Sequence, residues 1–449
     1  MVQAERIQAL NDKPLRKGRY VLYWMQASQR AAGNHALEHA VARADELGLP
    51  VVAAFGLMDD YPEADERHYA FMLEGLVETA EALEKRGIRL VLRRGAPAEV
   101  ALRLADDAAV LVADRGYLRH QRKWRRQVAR RAPCRVEQVE ADVVVPVRAV
   151  SNKQEYAART LRPKHMRLWE TYLVPLGERD PKRDSLGLKL KGEPIDADAL
   201  LESLNLDRSV RRTGYFVGGV SEARERLKRF IADKLPRYAD ERNDPSLDIQ
   251  SHMSPYLHFG QISPLEIALA IRDANAPGKA KDAYLEELLI RRELAINYCF
   301  HQPKYDSYTA LPGWARAALR AHADDDRPVV YTLERLEAAE TYDPYWNAAM
   351  REMVVTGKMH NYMRMYWGKK IIEWTRRPRT AFRWMLGLNN KHFLDGRDPT
   401  SYANVAWCFG LHDRPWAQRD VFGTVRYLSA GGLERKFDIS AYVRWAESL

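Results

Sequence analysis

"RYVLYWMQASQRAAGNHALEHAVARADELGLPVVAAFGL" (Arg19–Leu57) decides how the first half of the chain folds. Two short apolar runs, "RYVLYWM" (Arg19–Met25) and "PVVAAFGL" (Pro50–Leu57), flank "NHALEHAVARADELG", whose apolar residues recur at helical spacing and stop at Gly48. That is strand, helix, strand. The grammar continues outward through "IRLVLRRG" (Ile88–Gly95), "AVLVAD" (Ala109–Asp114) and "CRVEQVEAD" (Cys134–Asp142) as strands. Between them "RHYAFMLEGLVETAEALEKRG" and "PAEVALRLADD" read as helices. The alternation predicts a mainly parallel, Rossmann-like α/β sheet covered on both faces. No G-x-G-x-x-G follows the first strand, so a nicotinamide-dinucleotide domain is not expected.

Residues 143–220 read as a connection, basic in "SNKQEYAARTLRPKHMRLWE" and rich in turn formers in "RDPKRDSLGLKLKGEPID". From residue 221 the strand pattern disappears. "SEARERLKRF" opens with a serine and a carboxylate close behind it, which predicts a helix capped at Ser221. Helical patterns then run to the end, with breaks expected at Pro255, Pro264, Pro303, Pro344, Pro378 and Pro399. The division is therefore 1–142 α/β, 143–220 linker and 221–449 all-α.

A length of 449 residues suits two or three domains. Lys plus Arg outnumber Asp plus Glu by 71 to 61, which favours a polyanionic partner, nucleic acid before membrane. Three cysteines far apart exclude a metal-ligand spacing and point to a reducing compartment without disulfides. No apolar run suits a signal or a membrane span, so a cytoplasmic protein is expected, on the nucleoid or in the nucleus if it serves DNA. Nine of the eleven tryptophans follow residue 150. Two of them, Trp367 and Trp374 in "HNYMRMYWGKKIIEW", are seven residues apart, on one helical face and roughly 10 Å apart along the axis. Packing or an electron path would each explain them.

Four other stretches suit chemistry, each with an ordinary reading beside it. "RNDPSLDIQSHMSPYLHFGQISP" (Arg242–Pro264) offers hydroxyls and free N–H groups to a phosphate, or simply an N-cap. "LNNKHFLDGRDPTSYANVAW" (Leu388–Trp407) brings amides and carboxylates that read a heterocycle edge or cap helices. In "DAYLEELLIRRELAINYCFHQP", Glu287 and Arg291 are four apart, the spacing of a helix-surface ion pair. "WCFGLHDRPWAQRDVFGTVRYL" interleaves aromatics with Arg414, Arg419 and Arg426, a pattern for stacking on bases, or core tryptophans with solvated arginines.

The order of these stretches resembles the photolyase and cryptochrome family, specifically the class II cyclobutane pyrimidine dimer photolyases. The matching runs are "NDPSLDIQSHMSPYLHFGQIS", "TGKMHNYMRMYWGKKIIEW", "LDGRDP", "GLHDRPW" and "RKFDI", with "VLYWMQASQR" and "EYAARTLRPK" nearer the start. The resemblance implies an N-terminal antenna-type domain and a helical domain burying FAD. It also implies a light-dependent lyase, in which the reduced flavin anion passes an electron to a cyclobutane dimer flipped out of UV-damaged double-stranded DNA. A monomer is expected, without membrane association. A cryptochrome-like light receptor, a (6-4) photoproduct enzyme using His252, His360 or His412, and a redox flavoprotein unrelated to DNA are the competing readings.

By position, the resemblance puts Tyr238, Gln250, Ser251, His252, Met253, Ser254 and Leu257 around the cofactor. Arg364 and Asp395 border the ring, and Asn389 lies beside flavin N5. Glu287 becomes the lesion-contacting glutamate, protonated or water-bridged, and Met365 and Trp407 pack on the dimer. Arg242, Asn243, Arg414 and Arg426 hold the DNA, while Arg291 stands where some relatives carry an aromatic clamp. Trp346, Trp367 and Trp374 match the photoreduction chain, with Tyr362 or Tyr366 assisting. Asn361 and Asn404 fall where a small residue is expected, which asparagine satisfies by tolerating left-handed backbone. "DRGYLRHQRKWRRQVARR" resembles the antenna-side helix, for a deazaflavin-type or other second chromophore, although its seven cations between Arg119 and Arg131 also suit a solvated face.

Overall fold

The computed structural model describes residues 2–449. Its sheet has six strands, β1 (Ile7–Ala9), β2 (Tyr20–Trp24), β3 (Val51–Leu57), β4 (Arg89–Arg94), β5 (Ala108–Asp114) and β6 (Arg135–Val139), in the order β1-β6-β5-β2-β3-β4. The five expected strands are all parallel. The unexpected one, β1, pairs antiparallel with β6 at the edge. Three half-exposed residues carry no periodicity of their own. Long-range pairing and the Arg6 guanidinium, which donates to the carbonyls of Glu140, Val143 and Val144 at 3.1, 3.0 and 2.6 Å, hold them there.

Side-chain alternation assigns the two layers. Val21 and Tyr23 face one layer with α1 (His35–Leu47) and α2 (Glu66–Lys85), whereas Tyr20, Leu22 and Trp24 face the other with α3 (Pro97–Ala105) and α4 (Arg119–Arg131). Asn34 caps α1 by accepting from the amides of Ala36 and Leu37, and Gly48 ends it with φ +64°. At the carboxyl ends of β2 and β5, where the strand order reverses, Asp114 accepts from the amides of Gln26, Ala27 and Ser28 at 2.8, 3.0 and 3.1 Å. This fixes the loop that leaves β2. Crevices at such reversals are where open α/β sheets bind ligands.

The second half is helical, and two expectations about it are corrected. Pro255, Pro264, Pro344, Pro378 and Pro399 occupy the first or second helical position, so they open helices instead of breaking them. A proline there loses only an N–H that has no intrahelical partner. Ser221 is not the cap of the helix Val220–Arg229. Gly219 holds that position, and Glu78 of α2 reaches across to accept from the Ser221 amide at 2.9 Å. The connecting stretch has no core of its own. Its Leu200, Leu201 and Leu204 pack into the α/β core, and its Val150, Leu161, Tyr172 and Phe216 into the helical one.

Backbone contacts lock the halves together. At Gly260 (φ +65°) an added Cβ would sit 1.8 Å from the carbonyl oxygen of Ala27, so no other residue fits. The Gly260 carbonyl accepts from Arg30 at 2.9 Å, and the Gln261 side chain donates to the Phe71 carbonyl at 3.0 Å. Among the described residues no helix is long and apolar enough to cross a membrane.

Candidate functional site: two cavities and a tryptophan stack

The helical half encloses a cavity of about 470 Å³. Tyr238, Gln250, Ser251, His252, Met253, Ser254, Leu257, Arg364 and Asp395 all line it, and so do Glu287, Met365, Arg242, Asn243, Arg291 and Trp407. Residues separated by more than 150 positions therefore meet as the motif order implied. Asn389 does not reach the wall. It is buried behind Ser401, whose hydroxyl lies 3.5 Å from its side-chain oxygen, while its amide donates to Asn390 at 3.0 Å. Arg414 and Arg426 lie outside the cavity, in the loop that follows Trp407.

Each charged group in the wall has a structural cause. Arg364 donates to Asp395 at 2.9 Å and stacks 3.8 Å over Phe393. Burial opposes ionisation of Asp395, yet Arg364 and Lys358 hold its carboxyl below the usual range. The expected pair of Glu287 and Arg291 is not formed. Residues Glu286–Arg291 make a π-helical turn, so Arg291 faces Glu286, five positions back, at 2.9 Å. Glu287 is left to Arg242, which donates to it at 2.6 Å. The resemblance implied a protonated or water-bridged Glu287; here its carboxyl accepts from the Arg242 guanidinium.

Asn361 and Asn404 also depart from expectation. Both sit in helices, Asn361–Trp374 and Pro399–Cys408, with no left-handed backbone, and both line the cavity. The left-handed residues at the wall are His252 (φ +57°) and His412 (φ +60°). Burial pushes both imidazoles, and that of His360, down to about 4. His252 Nδ1 and His412 Nε2 are buried without a partner, which fits a wall built for a polar guest. Lys358, Arg292, Asp398, Thr400 and Ser401 complete the polar lining. Position alone did not single these out, because each lies in a turn or helix start where an ordinary polar residue is expected.

The three tryptophans are fully buried and in contact. Trp346 lies between the other two, stacked on Trp367 at 6.5 Å and 12°, and edge-on to Trp374 at 5.5 Å. Its indole donates to the Trp367 carbonyl at 3.0 Å. Asp343, which caps the helix Pro344–Thr356, also accepts from the Tyr366 hydroxyl. Trp367 lies three positions after the wall residue Arg364 on the same helix, without lining the cavity itself. The stack ends against Tyr331 and the exposed Tyr342, 5.3 and 5.6 Å from Trp374, whereas Tyr362 packs on Phe437.

Outside the mouth, Arg426 pairs with Asp413 and stacks 4.1 Å over Trp416 and 5.5 Å over Trp407. Arg414 covers Trp416 at 5.0 Å, and Arg419 is exposed, as a solvated charge would be. A second cavity opens at the carboxyl ends of β2 and β3. Met25, Phe55, Met58, Tyr61, Met72 and Trp124 give it a largely apolar wall, and Gln121, His258, Phe259 and Arg397 close it. Of the seven α4 cations five are exposed and Arg125 is buried. The helix thus presents a solvated face while Gln121 and Trp124 line the cavity.

The sequence model described as DNA photolyase matches residues 21–183. The deoxyribodipyrimidine photo-lyase of Methanothermobacter thermautotrophicus is 48% identical over 99% of this chain and 98% of its own. The chain belongs to the DNA photolyase family. A second relative, the deoxyribodipyrimidine photo-lyase of Arabidopsis thaliana, is 38% identical over 96% of this chain and 89% of its own. Photolyase folds also superpose. A class III photolyase from Agrobacterium tumefaciens reaches a TM-score of 0.75 at 20% identity, over 96% of this chain and 86% of that one. An archaeal photolyase from Sulfolobus tokodaii, solved with two FAD molecules, reaches 0.71 at 16%, over 95% and 89%. At such identities these two likenesses speak for the fold alone.

Proposed function

We propose that this photolyase is a class II deoxyribodipyrimidine photo-lyase that binds FAD in the polar cavity and splits cyclobutane dimers in light, with 1–142, 143–220 and 221–449 as its antenna-type, linking and catalytic parts. The observation that carries this reading is the convergence of most of the class II motif residues on one cavity, with the tryptophan stack running from the helix that supplies Arg364 and Met365 to its wall. FAD, when bound, reduced and excited, supplies the single electron that opens the cyclobutane ring and takes it back.

The chain's own residues do the rest. The Arg364–Asp395 pair sets a fixed dipole at the cavity wall, and Ser251 and Ser254 turn hydroxyls toward a phosphate-bearing ligand. Asn389 acts on the ring edge through Ser401, as a positioning residue. At the mouth, Met365 and Trp407 offer apolar faces to an extruded pyrimidine pair, while Arg242 and Glu287 compete for each other and for its polar edge. Asn243, Arg291, Arg414 and Arg426 supply polar and charged contacts for kinked DNA. Trp367, Trp346 and Trp374, in that spatial order, provide short hops for recharging an oxidised cofactor.

A (6-4) reaction needs a histidine that gives up a proton. Burial disfavours the protonated form of His252, His360 and His412, which weighs toward cyclobutane dimers. The apolar cavity at the strand ends suits a flat second chromophore of deazaflavin type. The deciding experiment incubates reduced protein with dimer-bearing oligonucleotide in light and in darkness. Light-only recovery of intact thymines is expected; none, with flavin bound, would sink the reading in favour of a receptor.

A further inference from the structure

The cations around the polar cavity are not equally neutralised. Arg242 is paired with Glu287, Arg291 with Glu286 and Arg364 with Asp395, while Arg292 turns to the main-chain oxygen of Asp142 at 2.8 Å. Lys358 is different. It sits in the turn between the helices Pro344–Thr356 and Asn361–Trp374, just after Gly357 (φ +78°), and its ammonium donates only to the Ser254 hydroxyl, at 3.2 Å. No carboxylate among the described residues lies within 4 Å of it.

The side behind Lys358 offers no ion pair, only the more distant carboxyls of Glu352 and Asp248. It also lines a smaller cavity of about 120 Å³, shared with Asp248, His252, Glu352, His360 and Tyr442. Burial pushes the Glu352 carboxyl up to about 7, and that carboxyl is already committed to the Tyr442 hydroxyl at 2.6 Å and the His360 amide at 3.2 Å. Asp248 is held by Lys234 and His252. Burial lowers the Lys358 ammonium to about 8; Asp395, which is paired to Arg364 and lies beyond ion-pair distance of Lys358, partly offsets this and Arg364 adds to it. A charge in a cavity wall whose one direct partner is a neutral hydroxyl is costly, and an incoming anion relieves that cost.

We propose that Lys358 is the cavity's anion-pairing residue and completes its charge balance only when the flavin dinucleotide is bound. The inference rests on the reading of the cavity as an FAD site. The dinucleotide carries two candidate anions, its diphosphate and its reduced ring, and the same chemistry serves both.

The test compares wild-type protein with Lys358→Met, Lys358→Gln and Lys358→Arg. Three quantities are measured: affinity for oxidised FAD by fluorescence, reduction potential of the bound flavin, and melting temperature of the flavin-free protein. Pairing with the diphosphate predicts that Met and Gln weaken oxidised FAD binding about tenfold or more and that Arg largely restores it. Pairing with the reduced ring predicts unchanged affinity for oxidised FAD and a lowered reduction potential. In both cases the flavin-free Met variant melts no lower than wild type, because the unpaired charge is gone. Unchanged affinity together with unchanged potential overturns the proposal, and so does a flavin-free melting temperature that falls in the Met, Gln and Arg variants alike. Wild-type protein that takes up no flavin would sink the reading of the site itself; any Lys358 result without that leaves the FAD site standing.

Discussion

The two cavities of this molecule are walled by opposite chemistries. The one at the strand ends is rich in Met, Phe, Tyr and Trp, set by a regular sheet and one basic helix. The one among the helices holds three ion pairs, two strained histidines and an unbalanced lysine. An apolar wall holds a guest by area and shape and does little else. A wall of fixed charges resists collapse, costs stability when unoccupied and changes the energy of whatever charge forms inside it. Under the proposed reading, the contrast suits the second cavity to the reaction and the first to holding a guest.

The strongest way to break that contrast is to strip one charge from the polar wall. Asp395→Ala leaves Arg364 buried without its carboxylate, and a loss of about 3–5 kcal/mol is expected in urea denaturation, together with loss of flavin. Trp367→Phe tests the stack. Photoreduction of oxidised flavin should slow by about an order of magnitude or more while repair by chemically pre-reduced protein stays near wild type; equal losses in both would remove the relay. Trp407→Ala should weaken binding of dimer-bearing DNA by about 1–3 kcal/mol, leaving flavin content unchanged.

Acid sharpens the comparison next. His252, His360 and His412 are held at about 4 by burial, against an unfolded value near 6.5. Below 6.5 the unfolded chain binds protons that the fold refuses. The stability these histidines contribute is therefore complete above about pH 6.5 and is lost as the pH falls toward 4, by roughly 1–3 kcal/mol for each. His360→Gln should flatten the acid limb of a melting-temperature profile. The smallest effect belongs to the apolar cavity. Trp124→Ala should leave repair under direct flavin excitation within about twofold, because no charge that acts on the reaction is touched.

Much of this was legible in the sequence, and the exceptions share a cause. The five parallel strands and α1 to α3 follow from local periodicity, which needs no knowledge of partners, whereas α4 was legible through resemblance. β1 was illegible because three residues carry no pattern and their pairing spans 130 positions. The prolines were misjudged as breaks because the same residue ends one helix and opens the next. Motif order brought most of the candidate residues to one cavity, yet the pairing of Glu287 with Arg242 depended on a π-turn that shifts the helix register by one residue. Asn389 was placed at the ring by likeness alone; the backbone keeps it one residue back, behind Ser401. Lys358 escaped notice because its distinction is a missing partner, and absences are not written in a sequence.

The strap Gln250–Gly260 supplies wall to both chambers: Gln250 to Leu257 face the charged one, and His258 and Phe259 the apolar one. It is pinned at its far end, where Gly260 touches Ala27 with no room for a methyl group. The distance between the two chambers is thus ruled by eleven residues of continuous main chain. With Gly260 packed on Ala27 at that end, the spacing of the two chambers is tied to the seam between the halves.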